Sequence, residues 1–266
     1  MTYQILFDVW EGNPTFDEQN AKENGVNAVI IRINDMNGGH HMDENFTTQW
    51  EEAKKFNLRM IYFVYNPWQK GKDNWDWLKS HLPKKADGTY DCPKKISLDI
   101  EVKKTGYSAK EYANQVADLI RLMRLEGFDP FIYTGSWFLG YLSYWPKDVD
   151  YWWARYPNSM SPRYNSWDEL YEKVNELTWT PDLIGQKRYS PGPVKIWQIS
   201  DKWVLPCTPK HAIDVNIWNG DYESLAAWWG NDIPEQIVEE KKYWYDGLSD
   251  TEKIQKLCEL HKDDIV

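Results

Sequence analysis

Ile96-Ser97-Leu98-Asp99-Ile100-Glu101-Val102 alternates apolar and polar residues with a period of two. An extended strand with that period places Ile96, Leu98, Ile100 and Val102 on one face and Ser97, Asp99 and Glu101 on the other. The two carboxyl groups then point the same way from Cα atoms about 6.6 Å apart. At an effective dielectric of about 20, charges roughly 6 Å apart repel by about 3 kcal/mol, which separates their ionisations by about two pKa units. One carboxyl is expected to hold its proton near neutral pH while the other stays ionised, the division of labour that acid-catalysed glycoside cleavage requires. The plainer account is an acid pair neutralised by Lys94, Lys95, Lys103 and Lys104.

Seven further strand-like runs surround this one, over 4–10, 27–34, 59–65, 130–134, 151–156, 194–200 and 212–218. Helical patterns alternate with them through the first half, the signature of a parallel α/β sheet or barrel. Asp17 caps a short helix ending near Gly25, Phe46, Trp50, Ala53 and Lys54 set a second, and 73–80 reads as a third. Ser108 with Glu111 forms a capping box, and Ala113, Val116, Ala117, Ile120 and Met123 line one face of a helix closed by Gly127. A second box, Ser166 with Glu169, opens an extra helix over 167–178. Eight strands favour a closed barrel. Only about a dozen residues separate the last two strands, too few for a βαβ crossover, so the barrel is expected to be distorted there. Past residue 231 the sequence turns charged and helix-favouring, over 234–246 and again from Ser249-Asp250-Thr251-Glu252, with Ile254, Leu257 and Cys258 on one face. The expected organisation is a barrel over 1–231 and a short C-terminal helical appendix over 232–266, which packs on the barrel or docks a partner.

The 266 residues carry a net charge of -10, which argues against nucleic acid as a partner. Cys92, Cys207 and Cys258 are odd in number and widely spaced, without a paired CxxC motif, so free thiols are expected rather than disulfides or a zinc site. The N-terminus reads straight into a strand without a basic region, apolar core or cleavage site, so no secretory signal is expected. No apolar run reaches membrane-spanning length, and a soluble chain without membrane insertion is expected. Oligomeric state is not legible. His40 and His41 beside Asp43 and Glu44 suggest a metal, yet adjacent residues rarely share one ion and Gly38-Gly39 reads as an exposed loop, so no metal and no cofactor are expected. The 17 Trp, 17 Tyr and 8 Phe are the compositional outlier, since flat amphipathic rings suit sugar faces as well as cores. Asp8 lies toward the end of the first strand and Asp214 begins the Asp214-Val215-Asn216 segment of the last, which neighbours the first once a barrel closes. Acids from three strands would then meet at one mouth.

In this order and spacing the chain resembles the glycoside hydrolase family 25 lysozymes, or N-acetylmuramidases, over roughly residues 3–222. The likeness rests on Phe7-Asp8-Val9, Val29-Ile30-Ile31-Arg32, Tyr62, Leu98-Asp99-Ile100-Glu101, Ile132-Tyr133-Thr134, Trp152-Trp153-Ala154-Arg155-Tyr156, Trp197-Gln198, and Ile213-Asp214-Val215-Asn216 followed by Asn219-Gly220. It implies an irregular, flattened TIM-like (β/α) barrel with about eight strands and a reduced helix set. The implied activity is hydrolysis of the β-1,4 bond from N-acetylmuramic acid to N-acetylglucosamine in bacterial peptidoglycan. On matching positions, Glu101 resembles the general acid and base, Asp99 its ionised partner, and Asp8 and Asp214 supporting carboxylates. The resemblance further implies retention through the substrate's own N-acetyl oxygen, with Asp99 orienting that amide; direct attack by an Asp is the rival.

Tyr62 and Tyr133 are the first candidates for sugar binding, followed by Trp152, Tyr156, Trp197 and Asn216. Three departures concern substrate detail: Trp10-Glu11-Gly12-Asn13 replaces the family's small residue and Gln-Gly turn, Phe63-Val64 replaces a His-Phe pair, and the connection from Tyr156 to Trp197 is long. A phage or prophage endolysin released by other means, or a secreted form numbered without its leader, fits the N-terminus. The competing functions are a non-catalytic cell-wall glycan-binding protein on the same barrel, and a chitinase-like hydrolase.

Overall fold

The computed structural model describes residues 3–35, 39–157, 160, 166–181 and 192–230. In its first half β1 (Tyr3–Val9), α1 (Glu18–Glu23) and β2 (Val26–Arg32) lead to a small hairpin of β3 (Asn34–Asp35) and β4 (His41–Met42). Then come α2 (Phe46–Glu52), β5 (Leu58–Val64), α3 (Gly71–His81) and β6 (Lys95–Asp99). The second half runs α4 (Ala109–Leu125), β7 (Asp129–Gly135), β8 (Tyr151–Ala154), α5 (Trp167–Asn175), β9 (Val194–Trp203), β10 (Ile213–Asn219) and α6 (Tyr222–Trp229). Eight strands close into a barrel in the order β1-β10-β9-β8-β7-β6-β5-β2. The chain is thus an α/β barrel, as the alternating pattern predicts, with the reduced helix set that the resemblance implies.

The distortion falls where the short connection predicts it. From β1 through β2, β5, β6, β7 and β8 to β9 every neighbouring pair is parallel, whereas β10 runs antiparallel to both β9 and β1. A connection too short for a crossover helix can only turn back, so the last strand is reversed. This reversal brings the beginning of β10, not its end, to the mouth where β1 finishes, and Asp8 is paired in register with Asp214.

Strand parity sorts the core into two layers. Leu6, Ala28, Ile30, Met60, Phe131, Trp152 and Ile196 fill the barrel interior, which Leu225, Ala226 and Trp229 of α6 complete at the end where β1 starts. Trp229 Nε1 donates to the Arg59 carbonyl there at 3.0 Å. Residues of opposite parity, among them Phe7, Val29, Ile61, Leu98, Ile132 and Trp153, pack with Ala113, Val116, Ile120 and Met123 of α4 in an outer layer. Strands apolar on both faces are what a sheathed parallel sheet requires.

Local signals hold at the caps. Asp17, Ser108 and Ser166 each accept a backbone N–H in the first turn of α1, α4 and α5. Several strands stop earlier than their periodicity suggests, β2 at Arg32 rather than at 34 among them. β6 ends at Asp99 rather than at residue 102, so Glu101 belongs to the loop beyond it, and β8 ends at Ala154 rather than at 156. The β3–β4 hairpin is not foreseen by the sequence reading. The His40 ring is half-buried against Phe63 and Trp77, while His41 and Met42 after it are exposed and Gly38 lies outside the described residues. Cys92 and Cys207 are free thiols. The expected boundary at 231/232, both helices past it and Cys258 lie outside the described residues. Among the described residues no helix is long and apolar enough to cross a membrane.

Candidate active site

The ends of β1, β5, β6 and β7 and the start of β10 surround a cleft of about 790 Å³ lined by Asp8, Tyr62, Asp99, Glu101, Tyr133 and Asp214. The four candidate acids are therefore brought together. Asp8 and Asp214 sit side by side on β1 and β10, Asp99 closes β6 next to Tyr133 of β7, and Glu101 stands on the loop above.

Asp8 is only 3% exposed and is held by amides. Its Oδ2 accepts from Asn216 Nδ2 at 2.7 Å and from Gln198 Nε2 at 3.1 Å. Both amides are themselves oriented, because Tyr133 and Tyr156 hydroxyls donate to Gln198 Oε1 at 2.9 and 2.8 Å, and Trp152 Nε1 donates to Asn216 Oδ1 at 2.7 Å. The oxygens of the amides being taken, only N–H groups can face Asp8. Burial pushes the Asp8 carboxyl up from its ordinary value, and the Asn216, Gln198 and Asp214 hydrogen bonds oppose that. Burial, the Asp8 charge and the Asp8 hydrogen bond all push Asp214 well up. The proton between these two carboxyls accordingly resides on Asp214, which donates to Asp8.

Asp99 and Glu101 divide differently from the sequence expectation. Burial, then the charges of Glu101 and Asp8, hold Asp99 well above the usual carboxylate range, with Arg32 opposing. Glu101 is raised mainly by burial, while a hydrogen bond from the Trp137 side chain favours its anion. The proton therefore favours Asp99, whereas the sequence pattern leads to an ionised Asp99 beside a protonated Glu101. The cause is depth: Asp99 lies inside the barrel mouth at 6% exposure, whereas Glu101 has left the strand and gained a donor.

Tyr62, Tyr133 and Trp152 form an aromatic floor, with Trp152 edge-on to Tyr133 at 4.5 Å and to Tyr62 at 6.0 Å. Tyr156 also lines the cleft. The other two sugar-binding candidates are not brought to it. Trp197 has the wrong parity, packs in the outer layer and donates to the Arg155 carbonyl at 2.8 Å, while Asn216 faces inward but lies buried beneath the cleft surface as a donor to Asp8. The sequence reading missed Gln198, Arg32 and Trp137. Gln198 adjoins Trp197, so alternation from Ile196 identifies it as the inward member. Arg32, at the end of the Val29-Ile30-Ile31-Arg32 run, is fixed by Asp43 at 2.9 Å and Glu11 at 3.0 Å, with its guanidinium 4.6 Å from the Trp10 ring centroid. Trp137, on a loop without periodicity, carried no signal. Its ring folds back over Gly135, where a Cβ would lie 2.4 Å from the indole.

Neither ring nitrogen of His40 is free for a metal: Nδ1 accepts from Asn34 Nδ2 at 2.9 Å and Nε2 donates to Asn74 Oδ1 at 3.0 Å. Burial pushes this neutral imidazole down to about 4.

Several solved structures share the fold. The muramidase from Trichobolus zukalii is 22% identical, with a TM-score of 0.60 over 86% of this chain and 100% of that one. The family GH25 lysozyme from Aspergillus fumigatus is 18% identical, with a TM-score of 0.61 over 87% of this chain and 100% of that one. The catalytic domain of endolysin ply40 from bacteriophage P40 of Listeria monocytogenes is 18% identical, with a TM-score of 0.61 over 86% and 98% of the respective chains. No curated protein matches the chain. The family model of the glycosyl hydrolases family 25 matches residues 7–180, more than half of the chain and a span that holds Asp8, Asp99 and Glu101, so the chain belongs to that family of glycoside hydrolases.

Proposed function

We propose that this glycoside hydrolase is a muramidase, cleaving the β-1,4 bond between N-acetylmuramic acid and N-acetylglucosamine in bacterial peptidoglycan with retention. The observation that carries the reading is Glu101 at the lip of a cleft whose floor is aromatic and whose remaining acids, Asp8, Asp99 and Asp214, lie deeper. Tyr62, Tyr133, Trp152 and Tyr156, with the partly exposed Trp10 and Trp137, supply ring faces for the sugars.

Glu101 acts as acid and then as base. When the N-acetyl N–H of the bound muramic acid donates to Asp99, it stabilises the Asp99 anion, and the proton passes to Glu101. The N-acetyl oxygen attacks the anomeric carbon, the glycosidic C–O bond breaks, and Glu101 gives its proton to the leaving oxygen. Glu101 then takes a proton from water as that water attacks the anomeric carbon and reopens the ring formed by the acetamido group. Asp8, fixed by Asn216 and Gln198, keeps negative charge beneath the developing cation. The wall is reached after release in the manner of an endolysin, or by secretion.

The test is to incubate the wild type and Glu101→Gln with purified cell walls and with chitin, and to identify the new reducing ends. Muramic acid ends from the wild type and none from the variant are expected. N-acetylglucosamine ends from chitin would indicate a chitinase-like hydrolase, and no release a glycan-binding role. A covalent glycosyl-enzyme trapped on Asp99 would replace substrate assistance with direct attack.

A further inference from the structure

The loops that leave β5, β6 and β7 meet beside Glu101 with a chemistry unlike that of the cleft. Lys103 and Lys104 follow Glu101 on the β6 loop. Lys103 Nζ lies 4.8 Å from the Tyr141 ring centroid, and Lys104 Nζ lies 3.8 Å from that of Tyr107 and donates to the Pro67 carbonyl at 3.2 Å. Trp68, next to that carbonyl, is 58% exposed. Tyr141 stacks on Phe138 at 4.8 Å, and Phe138 adjoins Trp137, whose side chain bonds Glu101. Two ammonium groups laid on rings thus form a basic ridge on the loop that carries Glu101. Among the described residues neither is paired with a carboxylate.

The cleft beside it is hostile to anions. Carboxyl groups line it from several strands, and Arg32, the one Lys or Arg among its described lining residues, is already held by Asp43 and Glu11. A substrate that is both sugar and carboxylate must send those parts to different places. The sugar suits the aromatic floor, and the ridge supplies positive charge on the loop that carries Glu101.

We propose that the Lys103–Lys104 ridge binds the carboxylates of the peptide stems borne by the glycan, so that the enzyme selects stem-bearing over stem-free strands. This rests on the muramidase reading above. Rings beneath the ammonium groups restrict their directions, and an attraction between exposed charges acts over about 8–10 Å at ordinary ionic strength. A net charge of -10 does not prevent this, because a local patch governs so short a range.

The test compares kcat/KM on soluble glycan strands carrying stems with the same strands after enzymatic removal of the stems and amidation of the lactyl carboxylates that removal exposes. One exposed and one half-buried lysine, each paired with a stem carboxylate, predict a preference of about fivefold for stem-bearing strands at low salt. That ratio should fall toward one in high salt and in a Lys103→Gln, Lys104→Gln double variant, and below one for Lys103→Glu, Lys104→Glu. Equal rates on both strands, or a ratio untouched by either variant, overturn the stem site and leave the muramidase reading standing. Failure of the wild type to cleave either strand overturns the muramidase reading instead.

Discussion

The two ends of the barrel interior are built from the same strands, only two residues apart, and they are chemical opposites. On β1 Leu6 faces the closed end and Asp8 the mouth, on β7 Phe131 and Tyr133, on β9 Ile196 and Gln198, and on the reversed β10 Trp218 and Asn216. The closed end is apolar and plugged by α6, and each fully buried large apolar side chain there contributes about 1.5–3 kcal/mol. At the mouth, carboxyl groups are buried in each other's company, which costs stability wherever they ionise. The lower layer offsets what the upper layer loses, so an acid cluster this deep is possible only on a well-packed floor.

The sharpest way to separate the two ends is Glu101→Gln, which should lower the rate of wall hydrolysis by about 10²- to 10⁴-fold while leaving thermal unfolding near that of the wild type. Leu6→Ala tests the opposite end. It should destabilise by about 2–5 kcal/mol in denaturant titration, yet leave the activity of the folded fraction intact. Loss of activity without loss of stability would mean that the closed end is not merely support.

A smaller effect comes from Asp99→Asn. The folded value of Asp99 is raised above its unfolded value of about 3.9. Between those values the folded chain binds more protons, so stability falls as pH rises. Glu18, pushed up by burial to about 7, adds a fall of the same sign, and His40, held at about 4, adds a rise up to its unfolded value, in both proteins alike. The difference between them isolates Asp99: the Tm advantage of the asparagine variant should widen as pH rises, and a constant gap contradicts the assignment. The smallest expected change is in Trp137→Phe, which removes the hydrogen bond favouring the Glu101 anion. The alkaline limb of the pH–rate profile should move upward by a fraction of a unit, and a downward move contradicts the contact.

Legibility in the sequence follows the same division. The strands and capped helices could be read because burial and capping are local and periodic, as at Ile96–Asp99 and at Ser108 before α4. Asp8, Asp99, Glu101 and Asp214 were legible because barrel closure constrains where strand ends meet. What escaped depends on where periodicity stops. The run through Val102 looks like one strand, but β6 ends at Asp99, and with it went the relative depth of the two acids that decides their protonation. Ring chemistry favours Trp197 as a sugar-binding candidate, but strand parity gives the inward place to Gln198. Trp137 and the lysine ridge lie on loops, where contacts come from other segments rather than from neighbours in sequence.

The reversal of β10 also sets a timetable. Asp8 and its amide donor Asn216 are 208 residues apart, and at roughly 5–20 residues per second of synthesis about 10 to 40 s pass between their appearances. Contacts of such sequence separation form late in folding as well. Until β10 is made and inserted, the barrel is an open sheet and Asp8 has neither Asn216 nor Asp214 beside it. A chain interrupted before residue 213 therefore lacks the assembled acid cluster, and hydrolytic competence arrives only with the closing strand.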